Sequence, residues 1–466
     1  MKSYNLQTLA TAMKGTLLQP GDGGLMITAG ISTDTRTISE GALFFALKGE
    51  NFDAHYFLDR ADAAAALVVD QAEKVPLGRS AIVVDDVLSG LQRLARWYCQ
   101  ELGIPIVAIT GSNGKTSTKD LTRSVLAQKF RVNATLGNFN NHIGLPLTVL
   151  ATEEDHEIGI FEMGMNHSGE LAPLCEIARP DLSIITNVGS AHIENMGSRE
   201  AIAEEKGTVA RALTEKGTLL IPADCEFIEQ YRERTLGKIL IVGNGRGAIR
   251  AENLIIDGSG SRFELVIDGL GRISANIPVT GKHMVSNALL AAGAGFVMGL
   301  SLEEIAAGLS KAQLTSGRLR QFDYDGVQVI DDTYNANPES VSAALETLAA
   351  LPGKGKRIAA LGIMAELGTH AEDAYCRIGR LAAARNLNLV VIGEAAETIA
   401  TAACDAGGEA HFFTDREEAA AFLKTETSSG DIVLFKGSRA AVMEEVMTTT
   451  FPHPRPQTFP HSALNN

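Results

Sequence analysis

The sequence predicts an α/β protein of three domains, with a central P-loop domain built on a parallel sheet and a Rossmann-like domain at the C-terminal end. Three observations point there. Apolar runs of strand length alternate with segments of helical period from about residue 87 to residue 447. A glycine-rich turn, TGSNGKTST, joins one of those runs to a helix. The length of 466 residues exceeds a single core at roughly 100–200 residues per domain. Composition agrees, since 45% hydrophobic and 21% charged residues fit a soluble globular chain. Lys and Arg total 41 against 56 Asp and Glu, a net charge of −15. That excess argues against general nucleic-acid binding, which needs a basic surface. An acidic chain can still hold anionic metabolites with local Lys, Arg, helix N-termini or metal ions.

Taken in order, residues 1–86 show short strands and turns, with GALFFALKG, ALVVD and SAIVVDD the clearest strands, and read as a small α/β domain. LSGLQRLARWYCQEL has helical spacing and opens a second domain over 87–313. Its strands are IPIVAIT, EIGIFEM, LSIITNV, GTLLIPA and KILIVGN, separated by helix-like stretches such as SREAIAEEKGTVARAL, the pattern of βαβ units. Asn253 to Pro278 reads as antiparallel hairpins, and HMVSNALLAAGAGFVMGL and SLEEIAAGLSKA as two closing helices. A third domain, 314–447, alternates five strands (VQVIDDTY, RIAALGI, LNLVVIG, HFFT and DIVLFKGS) with helices. The tail 448–466 has four prolines and no periodicity, so it is expected to be irregular. The five cysteines, Cys99, Cys175, Cys225, Cys376 and Cys404, are odd in number and far apart, which fits a reducing compartment better than a disulfide framework. No stretch of 18 uninterrupted apolar residues suggests a membrane span, and the N-terminus lacks the apolar core of a signal peptide.

The strongest chemical signal is the turn itself. Gly111, Ser112, Asn113, Gly114, Lys115, Thr116 and Ser117 lie between a buried strand and a helix. Such a turn aims backbone N–H groups at a polyphosphate, brings an ammonium to it and offers a hydroxyl to Mg²⁺. In the common GxxxxGK[ST] form the first glycine would fall at Ile109; here Gly111 gives the shorter TGxxGKT loop. Glu162 ends one predicted strand and His192 follows another, so both belong at the carboxyl edge where open α/β sheets bind ligands. A carboxylate, an imidazole and a threonine hydroxyl at one rim make a set suited to Mg²⁺, although each alone has an ordinary structural reading.

The motifs TGSNGKTST, TLGNFNNHIGLP, EMGMNHSGEL, NVGSAHIENMGS, AEEKGTVA, HMVSNALLA, SGRLR, DDTYNANPES and KGSRA follow one another along the chain. In this order they resemble the Mur ligases, ATP-dependent amide-forming enzymes of bacterial peptidoglycan precursor synthesis. GNFNNHIG and DDTYNANP, with no DNPR motif, favour within that family the joining of D-alanyl-D-alanine to UDP-N-acetylmuramoyl-tripeptide. The resemblance implies that ATP phosphorylates the substrate carboxylate and that an amine then attacks the acyl phosphate. It implies Lys115 on the phosphates, Thr116 and Glu162 on one Mg²⁺, and His192 on a second together with Lys206 carbamylated by CO₂. By itself, Lys206 beside Glu204 and Glu205 reads as a solvated lysine on a helix face.

By the same carry-over Asn287 contacts adenine, Arg318 the γ-phosphate and Asp332 the ribose, so that ATP sits between domains and closure assembles the site. Thr35, Arg36 and Asn51 become candidates for uridine and pyrophosphate. Asn138, Asn140, Asn141, Asn166 and His167 become candidates for the sugar-peptide. Where the family shows GDMxELG, this chain has Gly362, Ile363, Met364, Ala365, Glu366, Leu367 and Gly368, and Tyr375 stands in place of a histidine, both in the region expected for the dipeptide. The expectation is of a cytoplasmic monomer that binds no nucleic acid. Two rival readings are an amide ligase of the folylpolyglutamate synthetase kind and a P-loop regulatory switch.

Overall fold

The computed structural model describes residues 1–452. Among the described residues the strands form four sheets. Near the N-terminus, Tyr4–Asn5 pairs antiparallel with Met26–Ile27, and a five-stranded sheet runs Thr16–Leu17, Ala81–Val83, Ala66–Val69, Leu43–Phe45, Ile31–Ser32, parallel except for its first member. The helix Val87–Leu102 starts where the Asp86 carboxylate accepts a hydrogen bond from Ser89 N–H at 2.7 Å, a helix N-cap. Leu91, Leu94 and Tyr98 bury its inner face in a cluster shared with Leu6 and Leu9 of the first domain and Phe161 and Val149 of the second. This helix is the packed joint between the two domains.

The central sheet has nine strands in the order Gly271–Ile277, Gly260–Ile267, Ile249–Asp257, Lys238–Asn244, Thr218–Pro222, Leu182–Ile185, Ile106–Thr110, Ile158–Glu162, Val132–Ala134. Seven are parallel, and the first two pair antiparallel as the expected hairpins. The middle strands are buried throughout, as strands covered on both faces must be, and this is why they appear in the sequence as unbroken apolar runs.

The third domain has six strands instead of the five expected. Arg320–Tyr324 pairs antiparallel with Val327–Asp332 at the edge of an otherwise parallel sheet. Its sequence, RQFDY, lacks an apolar run because an edge strand keeps much of its surface in water. The irregular tail expected from residue 448 is corrected at its start: Thr448 to Thr450 finish the helix Met443–Thr450. The rest of that tail, 453–466, lies outside the described residues. No helix among the described residues is long and apolar enough to cross a membrane. All five cysteines are free thiols.

Met284 and Val285 of the central domain share a core cluster with Ile330, Leu345 and Leu348 of the third. This packing brings the carboxyl edges of the two sheets together.

Candidate active site

The phosphate loop is shaped by close approach. Gly111 has φ +152, and a Cβ there would lie 1.8 Å from Thr186 Oγ1; at Gly114, φ +77, it would meet Asn287 Oδ1 at 2.7 Å. Only glycine fits either place. The loop is braced by the end of the neighbouring strand. Thr186 Oγ1 and Asn187 Nδ2 donate to the Asn113 carbonyl at 2.5 and 3.0 Å, and Asn113 N–H donates to Asn187 Oδ1 at 2.9 Å. The helix Lys115–Leu126 begins at once, leaving its first N–H groups directed at the loop. Lys115 Nζ folds back to donate to the Gly111 carbonyl at 2.8 Å. Burial lowers its pKa, Glu162 partly offsets this, and the Arg318 cation lowers it further. Two cations converging on a ring of N–H groups make an anion site.

Beside it, Thr116 Oγ1 donates to Glu162 Oε2 at 2.8 Å and Asn140 Nδ2 donates to Glu162 Oε1 at 2.8 Å, while Glu162 N–H is held by Thr135 Oγ1 at 2.9 Å. Glu162 is buried and has no ion-pair partner among the described residues. A buried carboxylate whose hydrogen bonds come from neutral groups, with Lys115 near but not paired to it, is stabilised further by a bound cation, and adjacent hard oxygens suit Mg²⁺. The donor set therefore fits the ion that the sequence predicts for Thr116 and Glu162. Asn140, a candidate for the sugar-peptide, also contributes its Nδ2 to the surroundings of this carboxylate.

His192 and Lys206 are not hydrogen-bonded to one another. His192, at φ +64, places Nδ1 2.5 Å from Glu366 Oε2 of the third domain, and Glu194 N–H donates to the Glu366 carbonyl at 3.3 Å. The histidine holds the Glu366 carboxyl below its usual range. Lys206 overturns the solvated reading, being 1% exposed at the end of the helix Arg199–Lys206 with no hydrogen-bond or ion-pair partner among the described residues. Burial, and after it the Lys115 cation, push its pKa well below the ordinary lysine value. Both neighbouring glutamates are engaged elsewhere. Glu204 pairs with Arg211 and Arg234, and Glu205 accepts from Gly169 and Leu171 N–H at 2.9 and 2.8 Å.

From the third domain, Arg318 lays its guanidinium 4.1 Å from the centre of the Tyr334 ring, its Nε buried without a hydrogen-bond partner. Asp332 is held by Lys436, whose Nζ donates to Asp332 Oδ2 at 2.6 Å and to the Asn335 carbonyl at 3.0 Å. Asn287 lies inside the helix Lys282–Val297 against Gly114. Asn337 Nδ2 donates to Asn113 Oδ1 at 2.7 Å, and Glu339 accepts from Ser190 N–H and Oγ at 3.2 and 3.0 Å. The loop and the third domain are thus in direct contact. Sequence reasoning did not single out Asn187, Tyr334, Asn337, Glu339 or Glu366 for roles, although DDTYNANPES contains three of them.

The remaining candidates are scattered. Asp34 accepts from Arg36 N–H, Nε and Nη2 within the turn that carries Thr35. Asn51 stands in a turn closed by Gly49 N–H donating to the Phe52 carbonyl at 2.7 Å. Asn138 and Asn141 are exposed, and Asn141 Oδ1 is occupied by the N–H groups of Ile143 and Gly144 at the start of the helix Gly144–Leu150. Asn166 N–H and His167 Nδ1 both engage Glu170 on the surface. Tyr375, in the region expected for the dipeptide, is buried. Its hydroxyl donates to the Met364 carbonyl at 3.1 Å and accepts from Met364 N–H at 3.2 Å, so it locks the loop 362–368 from beneath.

Residues 109–295 match the Mur ligase middle domain, and residues 317–439 match the family described as Mur ligase, glutamate ligase domain. The UDP-N-acetylmuramoyl-tripeptide–D-alanyl-D-alanine ligase of Bacillus subtilis is 38% identical over 461 residues, covering 96% of this chain and 98% of that protein. Among solved structures, MurF from Acinetobacter baumannii superposes with a TM-score of 0.89 at 30% identity, covering 97% of this chain and 100% of that one. MurF ligase from Thermotoga maritima in complex with ADP gives 0.82 at 28% identity, covering 91% and 97%.

Proposed function

The chain belongs to the Mur ligase family, and from that premise we propose that it joins D-alanyl-D-alanine to UDP-N-acetylmuramoyl-tripeptide at the expense of ATP, in peptidoglycan precursor synthesis. The observation that carries this reading is likeness along almost the whole chain to the Bacillus subtilis ligase, first domain included. A cytoplasmic site of action belongs to the same reading, and so does nucleotide binding, supported by the ADP complex of the Thermotoga relative.

In this reading the peptide carboxylate attacks the γ-phosphorus, ADP leaves, and the dipeptide amine then displaces phosphate from the acyl carbon. Two anions must approach each other in the first step, which preorganised positive charge makes feasible. Lys115 and Arg318 approach the phosphates from the central and third domains. Thr116 and Glu162 would hold Mg²⁺, with Asn140 orienting the carboxylate; bound there, the ion neutralises phosphate charge. The unpartnered Lys206 suits carbamylation. Burial, which lowers the pKa of this amine, favours the form with the free electron pair that attacks CO₂, forming an N–C bond and releasing a proton, and the anion so made is attracted to the Lys115 cation. With His192 it would serve a second ion, the histidine oriented by Glu366 as carboxylates commonly orient metal-binding imidazoles. Asp332 and Asn287 are assigned to ribose and adenine, Thr35, Arg36 and Asn51 to the UDP moiety, and Asn138, Asn140, Asn141, Asn166 and His167 to the sugar-peptide.

The test is incubation with ATP, Mg²⁺, UDP-N-acetylmuramoyl-tripeptide and D-alanyl-D-alanine, following ADP and the product mass. ADP release that requires both carboxylate and amine, with a product heavier by the dipeptide less water, is expected. ADP release that ignores both would instead support a regulatory switch, and turnover of a pterin glutamate would support the folylpolyglutamate reading.

A further inference from the structure

We propose that Asp120 and Thr315 are positioning residues for Arg318, locking the linker between the central and third domains to the same helix that carries Lys115. The inference rests on the reading of Arg318 as a contact to the γ-phosphate. Asp120 lies on the helix Lys115–Leu126, and its carboxylate is 7% exposed, a costly placement unless its oxygens are bonded. They are fully engaged. Oδ1 pairs with the buried Lys119 Nζ at 2.8 Å, and Oδ2 accepts from both Thr315 N–H, at 2.8 Å, and Thr315 Oγ1, at 2.9 Å. Lys119 Nζ also donates to the Thr135 carbonyl at 3.0 Å, and the Thr135 hydroxyl accepts from Glu162 N–H. One chain of polar contacts, buried beyond its linker end, therefore runs from the linker, through the phosphate-loop helix, to the strand that ends in Glu162.

Two residues beyond Thr315 the linker is gripped from the other side. The Gly317 carbonyl accepts from Tyr334 N–H at 3.2 Å, and the next residue, Arg318, lies across the Tyr334 ring. Arg318 is thus placed by one hold on the central domain and one on the third, three residues after the first. A buried ion pair adds little stability over apolar packing of the same shape. What this one supplies is a geometric tie: the two cations that converge on the phosphates are both referred to one helix. Without the Thr315 hydroxyl the linker would keep its hold on Tyr334 and its backbone bond to Asp120, but lose one of the two bonds that fix its register against Lys115.

The experiment is steady-state kinetics on Thr315→Val, Thr315→Ser, Arg318→Ala and the double variant Thr315→Val/Arg318→Ala, with ATP affinity measured separately by calorimetry. Expected are a roughly tenfold fall in kcat for Thr315→Val with nearly unchanged ATP affinity, recovery in Thr315→Ser, and no further loss from Thr315→Val once Arg318 is gone. Losses that multiply in the double variant, or unchanged kcat in Thr315→Val, overturn the proposal while leaving the role of Arg318 standing. Unchanged turnover in Arg318→Ala overturns both. Should Thr315→Val not fold, Thr315→Ala carries the same cycle.

Discussion

The junction of the central and third sheets and the outer edge of the first sheet treat the side chains proposed for function in opposite ways. At the junction almost every group is held by another: Thr116 and Asn140 fix Glu162, Asn187 and Asn337 fix Asn113, Tyr334 carries Arg318, and Lys436 holds Asp332. At the first sheet, Arg36 is tied only to Asp34 two residues away, and Asn51 is exposed on a surface turn. The difference matches the demands of the two places. A site that stabilises developing charge gains from groups that need not reorganise, because reorganisation would be part of the barrier. A surface that only holds a substrate can order its groups on binding and bears that cost as affinity.

The widest separation between the two regions is expected at Lys115. Removing one preorganised charge contact of this kind costs about 2.7–4 kcal/mol, or roughly 10²–10³ in rate. Lys115→Ala should therefore lose turnover by that order at saturating substrate while keeping its thermal midpoint. A folded variant with near-normal kcat would erase the distinction drawn here, since the junction would then behave like a binding surface.

Next in size is Lys206→Ala, with turnover down by about a hundredfold. Because the missing group is proposed to be a carbamate, a short carboxylic acid in the buffer should restore part of the activity. The wild-type protein prepared in ¹³C-bicarbonate should show a carbamate carbon by NMR that the variant lacks. Absence of that signal from the wild type would leave Lys206 as an unmodified buried amine and would sharpen the question of what offsets its burial.

The phosphate loop was readable in the sequence because its chemistry is local: Gly111, Gly114, Lys115 and Thr116 lie within six residues, and the strand before them is continuously apolar. Glu162 and His192 could be located by the rule that strand ends line the ligand edge. The three-residue strand Val132–Ala134 and the polar edge strand Arg320–Tyr324 were missed, since neither bears the apolar run that burial on both faces imposes. The asparagines show the limit most plainly. Asn140 and Asn141 are adjacent and of one type, yet one is bonded to a buried carboxylate and the other starts a helix, a difference decided by backbone direction. Glu366 and Tyr375 depend on contacts across a loop and between domains, which no local pattern encodes.

The smallest effect belongs to Arg36, and it tests the other half of the comparison. Its side chain is 71% exposed, and the Asp34 carboxylate that holds it is kept below its usual range chiefly by that guanidinium. An exposed pair of this kind contributes little to folding, so exchanging Asp34 for a pyrophosphate oxygen is not opposed by lost stability. Arg36→Ala should leave the thermal midpoint and kcat unchanged and raise KM for the UDP-linked substrate by about tenfold, the pattern of a contact equally strong in ground and transition states. Asp34→Asn should move KM the other way or not at all, because it frees the guanidinium without removing it. A fall in kcat for Arg36→Ala at saturating substrate would mean that binding at the first sheet is transmitted to the junction, and that the two regions work as one site separated only in space.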